Sequence, residues 1–243
     1  MFYYGEYLIA MLLCMVISAI ASSKVKRAYA KYDKVRCRSG MTGYETAVKL
    51  LRNNRASDIS VGKVGGTLSD HYNPGRSIVN LSESTYGSSS VAAVAVAAHE
   101  IGHVMQKKDG YVPYRVRTAI VPVVNFGSRL AMPLVLVGLL LDTGVRVAGE
   151  NGLGFTLAMI GVALYGLSFV FALVTLPVEY NASARAKAML LEQGVISQEE
   201  LPGAKAVLSA AAMTYVASLL VSIISFLRFL LYVLSVFGRR NRR

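Results

Sequence analysis

Four long runs of apolar residues divide the sequence and predict helices that cross a membrane. They cover residues 2–22, 119–141, 153–176 and 204–237. A helix of about 20 apolar residues matches the thickness of the bilayer core. Arg228 interrupts the fourth run, which is therefore either one span with a snorkelling arginine or a bent segment that returns to the cytosolic face. The pattern predicts a mainly α membrane protein with about four transmembrane segments.

The polar region between the first two runs has the pattern of a small α+β unit. A capping box, Thr42-Gly43-Tyr44-Glu45, predicts a short amphipathic helix that ends near residues 53–54. Three later segments have the weak alternation typical of strands: residues 58–64, 67–72 and 77–81. The turn Asn73-Pro74-Gly75 joins the last two into a hairpin. We expect this hairpin to lead directly into the next helix.

That next helix is rich in alanine and valine and carries the residues 99–103, here called the His-Glu-His motif. Its N-cap is expected at residues 88–90, and Gly110 is its expected stop. His99 and His103 are four residues apart and share one helix face, with Glu100 about 100° round the axis. This arrangement is typical of two zinc-binding imidazoles with a carboxylate beside the metal-bound water. Such a cluster in an apolar helix needs a partner, and a divalent metal is one.

A third metal ligand is expected, because catalytic zinc usually takes three protein ligands and leaves one position open. Glu179 directly follows the third apolar run. Since the second and third runs form a hairpin, Glu179 emerges on the same side of the membrane as the His-Glu-His motif. We therefore predict that His99, His103 and Glu179 bind one catalytic Zn²⁺. A helix-capping or solvated role for Glu179 is the alternative.

Other side chains near the predicted zinc are candidates for catalysis or for ligand orientation. Glu100 is the candidate general base. His71 and Tyr72, on the hairpin, are candidate donors to the developing oxyanion, and the alternative is an exposed loop histidine. Asn181 and Arg185 follow Glu179 and are candidates to orient the ligands. The strand edge is a place where an extended peptide can bind.

The charge of the chain indicates how the protein is oriented in the membrane and what it contacts. Formal net charge is +12 with 54% hydrophobic residues, and residues 24–38 are heavily basic. The positive-inside rule places this segment and the active site on the cytosolic face, with the N-terminus outside. No nucleic-acid motif accompanies the charge, so the lipid bilayer is the expected partner. Cys14 and Cys37 imply no disulfide framework.

The elements predict five segments along the chain. They are an N-terminal transmembrane anchor (1–23), a catalytic α+β segment (24–117), a transmembrane hairpin (118–176), a membrane-surface helix with the third ligand (177–203) and a C-terminal transmembrane segment with a basic tail (204–243).

Four blocks of sequence resemble the bacterial membrane zinc metallopeptidases typified by YugP. The blocks are residues 68–74, 78–82, 92–103 and 176–183. The resemblance runs over nearly the whole chain and implies a zinc-dependent peptidase embedded in the bacterial cytoplasmic membrane. More distantly, the layout is similar to the HtpX-like peptidases, in which a glutamate on a later helix completes the metal set. The chain departs from the commonest form of that motif in having Asn181 rather than an acid after Glu179.

The sequence thus predicts a zinc metalloendopeptidase that cuts protein substrates exposed near the bilayer. The main alternative is a non-catalytic membrane scaffold or adaptor with a structural or degenerate zinc site. A structural site needs a fourth protein ligand, and His71 is the spare imidazole. An intramembrane protease is a further alternative, but it would require the His-Glu-His motif to lie in a span. The polar and basic flanks of that helix argue against this.

Overall fold

The computed structural model describes residues 2–144 and 152–240. Seven helices occur in this part of the chain: α1 Phe2–Tyr32, α2 Gly43–Asn53, α3 Glu83–Tyr86, α4 Val91–Lys108, α5 Val112–Gly144, α6 Leu153–Glu192 and α7 Leu201–Arg240. The strands of its sheet are β1 Ser60–Val64, β2 His71–Asn73 and β3 Ile78–Ser82. The predicted fold class, mainly α with a small α+β unit, is confirmed.

Four of the described helices are long and apolar enough to cross a membrane. The candidate spans are Gly5–Tyr32, Val112–Leu141, Leu153–Glu192 and Leu201–Phe237. The last three contain the predicted runs 119–141, 153–176 and 204–237, and the first overlaps the run 2–22 from Gly5 onward. Helix α7 continues through Arg228 without a break, which fits the single-span alternative. Residues 145–151, in the loop of the predicted transmembrane hairpin, and the last three residues of the basic tail lie outside the described residues.

The chain forms two compact units. The first contains Met1–Ala19, Val116–Thr175 and Val216–Arg243, and the second contains Ile20–Arg115 and Leu176–Tyr215. Helix α6 belongs to both units and runs unbroken through Pro177. The two units do not correspond to the five predicted segments, so that division of the chain stays a prediction.

Each unit has its own apolar core. In the first unit, α5, α6 and α7 meet through the buried side chains of Val135, Val162 and Val233. In the second unit, α4 is the central element, and most of its residues are buried. Its core draws one large side chain from each of several elements: Leu50 of α2, Leu81 of β3, Ile101 of α4, Leu190 of α6 and Leu208 of α7.

The sheet of the second unit has the order β1-β3-β2. Strand β1 runs parallel to β3, whereas β2 is antiparallel to it, with His71 opposite Asn80. The expected strand from residue 67 was wrong in its start, since β2 begins at His71. Leu68 has a φ of 58°, which interrupts extended backbone. The carboxylate of Asp70 accepts hydrogen bonds from the backbone N–H and the hydroxyl of Ser82, at 2.8 and 2.9 Å.

The helix ends follow the predicted capping signals, with one correction. The capping box of Thr42 and Glu45 is present at the start of α2, and the Ser90 hydroxyl accepts from the backbone N–H of Ala93 to cap α4. Gly110 has a φ of 65° just beyond the end of α4. The hairpin does not lead directly into α4, because the short helix α3 lies between them.

Candidate metal centre

Three predicted ligands meet at one point in the second unit. The ligand atoms of His99, His103 and Glu179 all lie within 4.8 Å of one another. The Nε2 atom of His99 lies 3.2 Å from Oε2 of Glu179, and the Nε2 atom of His103 lies 3.5 Å from the same oxygen. Helix α4 supplies both imidazoles and α6 supplies the carboxylate. In residues 2–144 and 152–240, this is the only group of three or more His, Cys, Asp or Glu side chains close enough to hold a metal.

The group is shielded from solvent. Glu179 is 1% exposed, His103 is 8% exposed, and His99 is partly buried. A buried carboxylate is costly unless it is paired, and both imidazoles point a nitrogen at this one. The arrangement of two nitrogens and one oxygen around a common point suits a divalent cation such as zinc.

The remaining ring nitrogen of each histidine is held by a hydrogen bond. Nδ1 of His99 lies 3.2 Å from the hydroxyl of Ser183. Nδ1 of His103 lies 3.0 Å from Oε1 of Gln106. The amide nitrogen of Gln106 donates to the carbonyl oxygen of Val178 at 2.7 Å. Gln106 must therefore present its oxygen to His103, which places the proton of that ring on Nδ1 and leaves Nε2 free to bind a metal.

Asn181 and Arg185, the two residues predicted to orient the ligands, extend this hydrogen-bond network. Oδ1 of Asn181 accepts from the Gln106 amide at 3.0 Å and from Nε of Arg185 at 2.8 Å. Arg185 also forms an ion pair with Asp109, just beyond the end of α4. A chain of side-chain contacts thus runs from His103 through Gln106 and Asn181 to this ion pair.

Sequence reasoning missed Gln106 and Ser183. Gln106 follows His103 by three residues, and Ser183 follows Glu179 by four, so each shares a helix face with a ligand. That spacing was the available signal. Only the packing of α4 against α6 shows that Ser183 bonds to a histidine on the other helix.

Glu100 is nearly buried beside the metal group. It is 8% exposed, and it forms no hydrogen bond or ion pair with any residue that the structure describes. Burial alone would lower the pKa of His103. The hydrogen bond to Glu179 and the negative charges of Glu100 and Glu179 outweigh burial, so the pKa of His103 lies above the ordinary imidazole value.

His71 and Tyr72 lie on β2 outside the metal group. His71 is exposed, and its two ring nitrogens contact the Ser69 carbonyl at 2.9 Å and the Asn80 side-chain amide at 3.0 Å. Tyr72 is half-buried against the core, and burial is the main reason that its pKa is raised to about 12. Lys107 of α4 lies 5.9 Å from the centre of the Tyr72 ring, so β2 runs beside the metal-bearing helix.

Tyr114 is a second tyrosine close to the group that the sequence did not single out. Its ring centre lies 6.3 Å from that of His103, and the side chain is buried. Tyr114 also contributes to the raised pKa of Tyr72. Tyr114 therefore places a phenol ring close to His103.

A membrane protein with this fold and this His-His-Glu cluster has the features of the membrane zinc peptidases. Residues 7–234 match the model of a family described as "Putative neutral zinc metallopeptidase", and the chain belongs to that family. It is 43% identical over 219 residues to the "Putative membrane protease YugP" of Bacillus subtilis (strain 168), covering 90% of this chain and 92% of that relative. The resemblance found in the sequence is confirmed. No solved structure matches the chain.

Proposed function

We propose that the protein is a zinc-dependent membrane metalloendopeptidase that hydrolyses peptide bonds of membrane-proximal protein substrates. The observation that carries this proposal is the convergence of His99, His103 and Glu179 beside the nearly buried Glu100. Membership of a zinc metallopeptidase family supports the same reaction class. The roles of individual residues and the class of substrate are inferred from the chemistry of the site.

The donor set fits a single catalytic zinc. Two imidazole nitrogens and one carboxylate oxygen are a common set for catalytic zinc, and three protein ligands leave a coordination position open. When bound there, zinc would polarise the peptide carbonyl and lower the pKa of a coordinated water. Among the described residues no fourth His, Cys, Asp or Glu joins the group. This favours a catalytic site over the closed tetrahedron of a structural one.

Glu100 is the proposed general base. Its carboxylate is close to His103 and is not engaged with another described side chain. It would accept a proton from the attacking water as the water oxygen bonds to the carbonyl carbon. The same proton would then pass to the leaving nitrogen as the C–N bond breaks, which returns Glu100 to its charged form.

Tyr72 is the better supported of the two proposed oxyanion donors. Its raised pKa, about 12, keeps the phenol protonated and able to donate. The ring nitrogens of His71 already contact Ser69 and Asn80, so His71 would have to exchange a partner to act. Strand β2 is an edge of the sheet, and an extended peptide could pair with that edge next to α4.

Asn181 and Arg185 are proposed to orient the metal ligands rather than to react. Both act on His103 through Gln106, which fixes the ring tautomer. Their replacement should therefore change metal affinity more directly than the protonation steps.

A membrane-proximal substrate follows from the place of Glu179 in the chain. Helix α6 continues from the apolar run 153–176 without interruption, and Glu179 is three residues beyond that run. The exposed basic residues of 24–38 favour the cytosolic face by the positive-inside rule. We propose a multi-pass protein of the bacterial cytoplasmic membrane, with the bilayer and membrane-exposed polypeptides as its partners.

The test is proteolysis by the full chain in detergent with Glu100→Gln. We expect the variant to keep its zinc and to lose roughly 10²–10⁴-fold in rate. Glu83→Gln, a change of an exposed carboxylate in the same unit, is the matched control and should keep wild-type activity. Equal activity of wild type and Glu100→Gln would remove Glu100 from its role. A zinc-loaded wild type that cuts none of a broad set of unfolded and membrane-derived peptides would favour the scaffold alternative.

A further inference from the structure

Helix α1 presents a row of basic side chains, here called the basic stripe, formed by Lys24, Arg27 and Lys31. Spacings of three and four residues place them on one side of the helix. All three are exposed. Within the described residues, none of them forms an ion pair. The stripe is thus uncompensated positive charge at the surface of the second unit.

The surrounding segment increases this charge. It adds three further exposed basic residues, Lys26, Lys34 and Arg36. Arg38 is also exposed, but it forms an ion pair with Glu199 at 2.5 Å. Asp33 is the one acid in residues 24–38. Its carboxylate accepts a hydrogen bond from the Ser90 hydroxyl at 2.9 Å and therefore faces α4.

The other side of α1 is packed against the protein. Tyr29 is buried in a cluster with Ala92 of α4 and Val207 of α7, and its hydroxyl donates to the carbonyl of Ser84 at 3.2 Å. A helix held by one side and basic on another is positioned to present its charges to a separate partner. The stripe also follows the apolar run of the same helix, where a spanning segment meets the headgroups.

We propose that the basic stripe binds the phosphate groups of anionic lipids. Lysine and arginine stems are long enough to reach headgroup phosphates from a juxtamembrane helix. Charge complementarity and the continuity of α1 from apolar run to stripe favour a lipid over a soluble partner. This inference is independent of peptidase activity.

The segment after the stripe joins this surface to the metal-bearing helix. The backbone N–H of Val91 donates to the carbonyl of Val35 at 2.8 Å, and the N–H of Cys37 donates to the carbonyl of Ser89 at 2.8 Å. With the bond between Ser90 and Asp33, these contacts fix the N-terminal end of α4. Lipid bound at the stripe should therefore stabilise the unit that carries the metal centre.

The experiment measures binding of a fluorescent phosphatidylglycerol to the full-length protein in detergent. Unlabelled phosphatidylglycerol, phosphatidylcholine and inorganic phosphate serve as competitors. We expect competition by phosphatidylglycerol alone, and a loss of about tenfold or more in affinity when all three stripe residues become glutamine. The matched control replaces three exposed basic residues of the same unit, Arg52, Lys63 and Arg76, and should bind within about twofold of wild type.

Three results would overturn the proposal. They are unchanged binding by the stripe variant, an equal loss in the control variant, and displacement by phosphatidylcholine or inorganic phosphate at the same concentration as phosphatidylglycerol. A variant with Lys24→Arg and Lys31→Arg keeps the charge and should retain wild-type affinity. It separates the loss of charge from the replacement of the lysine side chains, and a weakened lipid affinity in it would also contradict the proposal.

Discussion

Gly102 lies so close to Ala182 that a Cβ atom at residue 102 would stand 2.5 Å from the Ala182 carbonyl oxygen. Gly102 is inside the His-Glu-His motif on α4, and Ala182 lies three residues after Glu179 on α6. No side chain fits between the two backbones at this point. The glycine therefore permits the helix contact that brings the carboxylate to the two imidazoles.

Gly102→Ala should separate α4 from α6 and weaken both folding and metal binding. Overpacking of this kind costs about 1–3 kcal/mol, and zinc affinity should fall because Glu179 moves away from the histidines. Thermal unfolding and zinc titration of the purified protein measure the two effects. Gly87→Ala is the control, since a Cβ there meets no atom within 4 Å. Wild-type zinc affinity in Gly102→Ala would show that the contact does not position the ligands.

Gln106→Leu should lower zinc affinity by about 10–100-fold. The leucine leaves the buried Nδ1–H of His103 without an acceptor and breaks the link to Asn181. Both the ring orientation and the tautomer that frees Nε2 are then lost. Zinc competition with a chromogenic chelator measures the change. Gln198→Leu, at an exposed position, is the control and should bind zinc like wild type; a similar loss in both variants would contradict a specific role of Gln106.

The features that the sequence predicted correctly depend on local patterns. The apolar runs, the capping box of Thr42 and Glu45 and the stop at Gly110 each require only residues near in the chain. Strand β2 shows the limit of such patterns. Just before its start, Asp70 accepts hydrogen bonds from Ser82, twelve residues later, and no local signal contains that contact.

The candidate site likewise has one part that local sequence patterns predict and another part that they do not. The spacing of His99 and His103 is a local helix pattern, and hydrophobic runs were enough to place Glu179 on their side of the membrane. The partners of Asn181 and Ser183 could not be predicted, because they depend on how α6 is rotated against α4. That rotation follows from backbone contacts such as the one between Gly102 and Ala182.

Zinc should stabilise the wild-type protein against thermal unfolding, and Glu179→Ala should abolish most of that effect. A ligand that binds only the folded state adds about 2.7 kcal/mol at about 100 times its Kd. Removal of Glu179 leaves two imidazoles and lowers the affinity, so the same zinc concentration should raise the Tm much less. Unfolding with and without a chelator measures the difference. Glu192→Ala, at an exposed position on the same helix, should keep the full zinc-dependent increase; an undiminished increase in Glu179→Ala would reassign the third ligand.

Tyr72→Phe should slow peptide hydrolysis about 10–10³-fold while leaving zinc affinity unchanged, because it removes a proposed donor and not a ligand. The pH dependence provides a second check. Burial raises the pKa of Tyr72 to about 12, so the phenol keeps its proton, and its ability to donate, well above the pH at which an ordinary tyrosine ionises. The wild-type kcat should therefore show no loss from phenol ionisation between about pH 9 and 10.5. Tyr44→Phe changes an exposed tyrosine and is the control; equal rates for Tyr72→Phe and Tyr44→Phe would exclude Tyr72 as the donor.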